Sequence, residues 1–362
     1  MERNDEGLAF LLRYENVAWY ENGKVRILDR RVYPSRVEYV TCESHVEVAK
    51  AIQDMVTQSG GPYTAAAMGM ALAAWEARDK RGAEALLHLK QASHTLSNAR
   101  PTTARKMATI TETCMTVARN AIDRGEDLTQ AVFRRAIELQ NERYEKSTRM
   151  ARFLVDKFPE NGSILTQCFA ETIIGTMLRE CRNRGKILKV YCAETRPYFQ
   201  GARLTASVVQ DMGFDVTVIT DNMPGYVLKA KSIDVFTSAA DVISMDGYIV
   251  NKVGTFQIAL AAQYWGVPYF VTGSPNPHHP TIDTVRIEER DGNDALLAMG
   301  VRTTMEGVKG YYPAFDITPP KLCSGVVTDK GIFPPLDLER YFENEIPAFY
   351  DGKWDSPEEN CQ

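Results

Sequence analysis

Two side chains in this sequence, the thiol of Cys168 and the carboxylate of Asp241, occupy positions that favour acid–base chemistry. Cys168 lies between a predicted strand and a predicted helix, and a helix N-terminus favours a thiolate that can act as an acid or base. Asp241 follows Ser238-Ala239-Ala240, a run of small side chains that leaves space for a ligand. Both also have structural interpretations, since free cysteines are usually buried core residues and aspartates often cap helices or turns.

The segment Asn251-Lys252-Val253-Gly254-Thr255 precedes a predicted helix. Lysine, asparagine and free backbone amides at such a place suit an anionic group, although the segment lacks the spacing of a P-loop. A polar turn with a solvated lysine is the alternative interpretation. Arg100, before Pro101, either points into the same crevice from the helical region or lies on the surface.

Metal ligation is not indicated by the sequence. His278 and His279 are adjacent on a proline-rich loop and lack acidic partners at ligand spacing, so we predict no metal. The seven cysteines are scattered without a C-x-x-C arrangement, which argues against a disulfide framework and fits a reducing cytosol.

The scaffold that must position these side chains is predicted by alternating patterns in the second half of the chain. Short apolar runs alternate with amphipathic stretches, which implies βαβ units and a doubly wound parallel sheet. Ligands bind outside the carboxyl ends of such strands, where Cys168 and Asp241 would converge. The strands are predicted at residues 163–165, 187–192, 216–220, 233–238 and 268–272, and the helices at 171–182, 201–212, 226–230 and 255–265.

The first half has a different rhythm and is predicted to be mainly helical. Residues 15–20 and 24–28 flank the turn signal Glu21-Asn22-Gly23 and predict a hairpin. Ser44 and Glu47 resemble a capping box, and helices are predicted from there and over 63–78, 83–96, 102–124 and 128–157. We therefore predict an α/β protein with a mainly helical N-terminal domain over residues 1–150 and a Rossmann-like catalytic domain over residues 151–362.

Composition restricts the function classes further. The 362 residues are 44% hydrophobic and 25% charged, as in soluble globular proteins. A net charge of only −5 argues against nucleic acid as the main partner. The sequence has no uncharged apolar run of transmembrane length and no signal-peptide pattern, so we expect a cytoplasmic protein without a membrane partner.

Residues 194–206 resemble the E-T-R-P-x-x-Q-G-x-R-L-T-A signature of the methylthioribose-1-phosphate isomerase family. That family is related to ribose-1,5-bisphosphate isomerases and to regulatory subunits of the translation-initiation exchange factor. Residues 240–255 resemble its G-A-D-R-I…N-K-I-G-T, residues 286–290 its I-P-I-E-E-R, and residues 315–320 its A-F-D-V-T-P. The resemblance covers most of the chain in order.

The resemblance implies a helical N-terminal domain on a Rossmann-like domain, a homodimer, and catalysis without a cofactor or metal. It implies Cys168 and Asp241 as the acid–base pair. It also implies a substrate- and phosphate-binding set that consists of Gly60, Gly61, Arg100, Arg196, Gln200, Asn251 and Lys252.

Three departures from the family pattern leave the substrate open. Ser59 replaces the arginine of R-G-A-P, and Gln167 and Phe169 replace the histidine and asparagine beside the cysteine. The predicted reaction is isomerisation of a 5-substituted or plain ribose 1-phosphate, such as methylthioribose 1-phosphate or 5-deoxyribose 1-phosphate. Ribose 1,5-bisphosphate is disfavoured because a second phosphate needs more cationic groups. A non-catalytic sensing or regulatory subunit is the alternative, and the presence of both Cys168 and Asp241 favours the enzyme.

Overall fold

The structure, a computed structural model, describes residues 3–100 and 104–343. Its first part combines a small antiparallel sheet with a bundle of helices. The strands are β1 (Trp19–Glu21), β2 (Lys24–Leu28) and β3 (Tyr39–Cys42), and the helices are α1 (Tyr14–Val17), α2 (His45–Gln53), α3 (Gly61–Glu76), α4 (Gly82–Ser97), α5 (Ala104–Arg124) and α6 (Leu128–Val155). The predicted start of α5 at Thr102 lies outside the described residues.

The predicted hairpin is confirmed, with Tyr20 paired to Val25 across β1 and β2. Its first strand is shorter than predicted, because Tyr14–Val17 forms a helical turn. Tyr14 and Val17, three residues apart, are both fully buried by this turn. Burial therefore outweighs the strand propensity of this segment.

Helix α3 lies at the centre of the helical part. Residues 64–74 are buried on every side of the helix, which is the pattern of a core helix rather than an amphipathic surface helix. Its alanines and glycines let α2, α4, α5 and α6 approach closely, and the shared hydrophobic cluster includes Leu72, Leu89 and Val132.

The second part contains a seven-stranded sheet and the remaining helices. The helices are α7 (Thr172–Asn183), α8 (Ala206–Asp211), α9 (Pro224–Ala230) and α10 (Thr255–Tyr264). The strands are β4 (Asn161–Thr166), β5 (Ile187–Ala193), β6 (Asp215–Ile219), β7 (Val235–Ala239), β8 (Val242–Ile243), β9 (Ile249–Lys252), β10 (Tyr269–Thr272), β11 (Glu289–Arg290), β12 (Leu297–Ala298), β13 (Val301–Arg302), β14 (Tyr312–Pro313), β15 (Phe315–Thr318), β16 (Gly325–Val327) and β17 (Ile332–Phe333).

The large sheet has the strand order β17-β16-β10-β7-β4-β5-β6, and all neighbours pair in parallel except β16 with β17. The predicted parallel sheet is confirmed, and each of its five predicted strands is present. The sequence prediction missed β16 and β17. It also missed the small antiparallel sheet β15-β9-β8, which carries Asn251 and Lys252.

Residue 150, the predicted domain boundary, falls within α6, which continues to Val155. This helix packs against α3 on one side and α7 on the other, so it joins the two parts of the molecule. Within the described ranges, no helix is long and apolar enough to cross a membrane.

Candidate active site

A cleft of about 430 Å³ lies between the helical part and the carboxyl edge of the large sheet. Pockets of this size accommodate small ligands, and this edge of a parallel sheet is where they bind. Polar side chains of both parts line it: Ser59, Tyr63, Arg100 and Lys106 from the helical part, and Gln167, Cys168, Gln200, Asp241, Asn251, Lys252 and Arg290 from the sheet part. A larger depression of about 860 Å³ at Trp75, Arg81 and Asp127 shares no lining residue with this cleft, and no cysteine lines it.

Cys168 sits in a sharp loop after β4, with a left-handed φ of 61°. Two threonines of the segment 194–206 fix its peptide. The Cys168 amide donates to Thr195 Oγ1 at 3.1 Å, and Thr205 Oγ1 donates to the Cys168 carbonyl at 2.5 Å. The signature segment therefore holds the cysteine loop in place.

The predicted effect of the helix on Cys168 is wrong. Burial raises the pKa of this thiol to about 11, although the charge of Lys252 lowers it. The first residue of α7 is Thr172, so three residues separate Cys168 from the helix. A helix terminus acts within about one turn, and burial therefore outweighs it. The thiol of the free protein is uncharged at neutral pH.

Asp241 follows β7, and its amide donates to the Val250 carbonyl at 2.9 Å. The next residues form strand β8 rather than a helix, so Asp241 is not a helix cap. Its side chain is accessible from the cleft although protein surrounds it. Burial raises the pKa of this carboxyl, while the charges of Lys252, Arg100 and Arg290 lower it. Asp241 therefore holds a proton more readily than an ordinary aspartate.

Asn251 and Lys252 belong to strand β9 and are both only 5% exposed, which excludes the solvated-turn interpretation. The Lys252 ammonium lies 4.6 Å from the centre of the Phe315 ring and 3.4 Å from Tyr312 Oη. Burial lowers the pKa of Lys252, and the nearby Cys168 opposes this shift. Asn251 Nδ2 donates to Thr255 Oγ1 at 3.0 Å, which fixes the amide at the start of α10.

Gln200 and Arg100 also line the cleft. Gln200 is buried, and its Oε1 has no hydrogen-bond partner among the described residues. A buried acceptor without a partner is costly, so a donor from a ligand would stabilise it. Arg100 is half-buried, and burial lowers the pKa of its guanidinium.

Of the other residues singled out in the sequence, some line the cleft and others do not. Arg196 turns away from the cleft and donates to the carbonyls of Leu297 at 2.7 Å and Ala295 at 3.1 Å. Gly60 lines the cleft, whereas Gly61 is buried in the first turn of α3. His279 reaches the cleft wall while His278 is exposed.

The sequence analysis missed three cations of the cleft, Lys106, Arg286 and Arg290. Arg290 ends the segment 286–290 that resembles the family pattern, so its signal was present. It donates to Glu288 Oε1 at 2.7 Å. Lys106 lies in the amphipathic helix α5. A lysine on the polar face of such a helix is usually solvated, so the sequence gives no signal of a ligand site there.

A buried ionic cluster supports the cysteine loop from behind. Arg30 donates to Glu171 Oε1 at 2.7 Å, and Arg143 donates to Glu171 Oε2 at 3.0 Å. Ser59, which stands where the family pattern has arginine, donates to the Phe169 carbonyl at 2.9 Å. Both parts of the molecule therefore hold the loop from Cys168 to Glu171.

A parallel sheet with a thiol, a carboxyl group and several cations at its carboxyl edge defines a small-molecule enzyme of the Rossmann-like class. The profile of the Initiation factor 2 subunit family matches residues 58–335. Methylthioribose-1-phosphate isomerase of Thermotoga neapolitana is 34% identical over 336 residues, which cover 90% of this chain and 96% of that protein. The enzyme of that name from Carboxydothermus hydrogenoformans is 33% identical over 94% of this chain and 100% of its own length.

Solved structures agree with these sequence matches. The crystal structure of 5-methylthioribose 1-phosphate isomerase from Pyrococcus horikoshii OT3 superposes with a TM-score of 0.82 at 28% identity, over 91% of this chain and 96% of that one. The translation initiation factor eIF-2B subunit delta from A. fulgidus gives 0.77 at 28% identity, over 88% and 96%. The chain belongs to the Initiation factor 2 subunit family and, within it, to the methylthioribose-1-phosphate isomerases; it is an isomerase.

Proposed function

We propose that this isomerase converts a ribose 1-phosphate with an apolar or absent 5-substituent, such as methylthioribose 1-phosphate or 5-deoxyribose 1-phosphate, to the ribulose 1-phosphate. The observation that carries the proposal is that Cys168 and Asp241 line one cleft with Lys252. The related isomerases named above act on methylthioribose 1-phosphate.

The chemistry assigns a separate task to each of the two groups. The phosphate ester on C1 keeps the sugar in its ring form. An acid must therefore protonate the ring oxygen as the bond between C1 and that ring oxygen breaks. Asp241, with its raised pKa, donates this proton. A base then removes the proton from C2 to give an enediolate-like species, and the same group returns a proton to C1. Cys168 serves as this carrier, so the carbon skeleton loses and gains one proton. The Asp241 carboxylate takes the proton of the C2 hydroxyl as the C2 carbonyl forms, so Asp241 is protonated again at the end of the cycle.

Lys252 makes the second task feasible. The thiol is neutral in the free protein and accepts the C2 proton only as a thiolate, so it first releases its own proton to solvent. The Lys252 ammonium is the largest charge effect on Cys168, and it favours the thiolate. We therefore assign to Lys252 the role of stabilising the charged form of Cys168 during the reaction.

The 1-phosphate is proposed to bind on the helical side of the cleft. Lys106 extends from α5 into the cleft, with Nζ 4.3 Å from the centre of the Tyr63 ring. In the described part of the chain it forms no ion pair, so its charge is available to an anion. Together with Arg100 it supplies cationic groups on the side where Ser59 replaces the family arginine.

An apolar wall supports the choice of 5-substituent. Met55, Phe169 and Ala170 line the same cleft as Cys168. Phe169 is 5% exposed, and its ring packs 5.7 Å from the Arg30 guanidinium carbon. This wall suits a methylthio or methyl group better than a second phosphate.

The experiment is ketose formation from a panel of pentose 1-phosphates by the wild type and by the Cys168→Ala and Asp241→Asn variants. We expect each variant to lose about 10²- to 10⁴-fold in kcat, with KM nearly unchanged, because positioned acid–base groups contribute that much. Asp215→Asn, at an exposed aspartate of β6, is the matched control. Wild-type turnover by either variant would refute the assignment, and binding without turnover across the panel would support the regulatory alternative.

A further inference from the structure

We propose that His45, Glu76 and His88 form a binding site for a divalent transition-metal ion, with Zn²⁺ as the preferred occupant. The three residues come from the start of α2, the end of α3 and the middle of α4. None of them lines the cleft of Cys168 and Asp241, so the site is separate from the isomerase chemistry.

Two imidazole rings converge on one carboxylate oxygen. His45 Nδ1 lies 2.6 Å and His88 Nε2 lies 2.8 Å from Glu76 Oε2. The three ligand atoms lie within 4.8 Å of one another, and no other such group of His, Cys, Asp or Glu side chains occurs within residues 3–100 and 104–343. The side chains are 12%, 18% and 21% exposed for His45, Glu76 and His88, so the group is sheltered but open on one side.

The donor set is that of a three-ligand zinc site with one open position. Imidazole nitrogens suit Zn²⁺, Ni²⁺ and Cu²⁺, whereas Ca²⁺ and Mg²⁺ prefer oxygen-only sites. At metal–ligand distances of about 2.1 Å, tetrahedral ligands lie about 3.4 Å apart. The two nitrogen–oxygen distances must therefore lengthen by about 0.6 to 0.8 Å, a shift that partly exposed side chains can provide.

The Glu76 carboxylate is prepared for this role. Its second oxygen, Oε1, accepts the His45 amide at 2.7 Å. This bond fixes the carboxylate as a supporting contact around a metal ligand does. A bound ion would replace the two ring N–H contacts and link α2, α3 and α4.

The test is the zinc content and the thermal stability of the full chain after equilibrium dialysis against Zn²⁺ at micromolar concentration. We expect one equivalent of zinc and a Tm raised relative to the chelator-treated protein, because the ion binds only the folded chain. His88→Gln should bind no zinc at this site and show no zinc-dependent Tm shift. His94→Gln, on the exposed part of α4, is the matched control and should keep both.

Two further outcomes are decisive. A hydrogen-bonded cluster without affinity for metal would give no zinc and no Tm shift in the wild type, which would overturn the proposal. Zinc that persists in His88→Gln but disappears in Cys168→Ala would also overturn it, because a free thiol would then be the ligand. His45→Gln provides a second variant if His88→Gln fails to fold, and it should also lose the zinc.

Discussion

At the scale of single residues, burial shifts each proposed reacting group towards its uncharged form. The pKa of Cys168 is about 11, the pKa of Asp241 is raised and the pKa of Lys252 is lowered. In water each of the three groups would gain or lose its proton independently of the other two. In the cleft each one depends on the charge of its neighbour, so a change in one group alters the proton affinity of the others.

Lys106 gives the first residue-scale prediction. Lys106→Met should raise KM for a pentose 1-phosphate about tenfold or more while kcat changes little, since hydrogen bonds to charged groups contribute about 1.5–3 kcal/mol. Lys90→Met, at an exposed lysine of α4, is the control and should leave KM unchanged. Steady-state kinetics provides the measurement, and an unchanged KM in Lys106→Met would remove this residue from the phosphate site.

The pH dependence of kcat/KM is the second prediction. The protein around Lys106 lowers its pKa to about 8 although the side chain is accessible from the cleft, so its positive charge is present below pH 8 and is lost above it. Since a phosphate binds the charged form, kcat/KM should fall as pH rises through about 8. Lys106→Arg keeps its charge at these pH values and should move this decline to higher pH. Identical pH profiles of kcat/KM for the wild type and Lys106→Arg would contradict the prediction.

At the scale of elements, the geometry of the site depends on the loop between β4 and α7. Cys168 and Glu171 both have positive φ, at 61° and 46°. Such conformations cost energy in non-glycine residues and persist only where the surroundings fix them. Thr195 and Thr205 hold one end of the loop, and Arg30 and Arg143 hold the other.

Removal of the Glu171 charge should destabilise the protein. Arg30 and Glu171 have side chains only 0% and 2% exposed, so Glu171→Gln leaves a buried arginine without its anion. We expect a loss of about 3 kcal/mol in the free energy of unfolding, measured by urea denaturation. Glu160→Gln is the control, because it removes the carboxylate from an ion pair with Lys186 in which Glu160 is 80% exposed. It should lower the free energy of unfolding by no more than about 1 kcal/mol. Equal losses in the two variants would argue against the role of the buried cluster.

Gly201 of the signature segment gives another prediction at this scale. A Cβ at this position would lie 1.8 Å from the Ala193 carbonyl oxygen of β5, and a backbone atom moves aside only with the strand. Gly201→Ala should lower the free energy of unfolding by about 1–3 kcal/mol. It should also displace the neighbouring Gln200 from the cleft and so raise KM. Gly225→Ala is the control, since its Cβ would have no neighbour closer than 3.9 Å. Chemical denaturation and kinetics test both effects; wild-type stability in Gly201→Ala would disprove the close contact.

At the scale of the whole molecule, the cleft needs both parts of the chain. The sheet part contributes Cys168 and Asp241, the proposed acid–base groups, and the helical part contributes Lys106 and Arg100. On another surface, α9 and α10 expose aromatic side chains, with Tyr226 77% and Tyr264 79% exposed and Trp265 38% exposed. Clusters of exposed apolar groups are typical of interfaces between proteins.

We expect the chain to form the homodimer that the sequence analysis predicts, with this aromatic surface at its interface. Light scattering after size exclusion should give twice the mass of one chain. The Tyr226→Glu and Tyr264→Glu double variant should give the monomer mass, because it places four charges in the interface of a symmetric pair. Leu87→Glu, at an exposed leucine of α4, is the control. A wild-type monomer would disprove the dimer, and a dimeric double variant would disprove this interface.

Much of the architecture could be predicted because local patterns agree with the final fold. Ser44 does cap α2, with its Oγ accepting the Glu47 amide at 3.3 Å, and the apolar runs of the second half do form the central strands. The sequence-based predictions fail where contacts with residues distant in the sequence determine the local structure or the position of a side chain. Tyr14–Val17 forms a helix because the core buries it, and Arg196 leaves the cleft because two distant carbonyls accept its hydrogen bonds.

The sequence by itself determined the fold class and the family, because periodicity and ordered motifs are local properties of the chain, and it pointed to Cys168 and Asp241 as the pair proposed here. Only the tertiary structure decided the raised pKa values of Cys168 and Asp241, the presence of Lys106 in the cleft and the meeting of His45, Glu76 and His88. Proton affinity depends on burial and on charges that the fold brings near, and neither can be read from the order of residues.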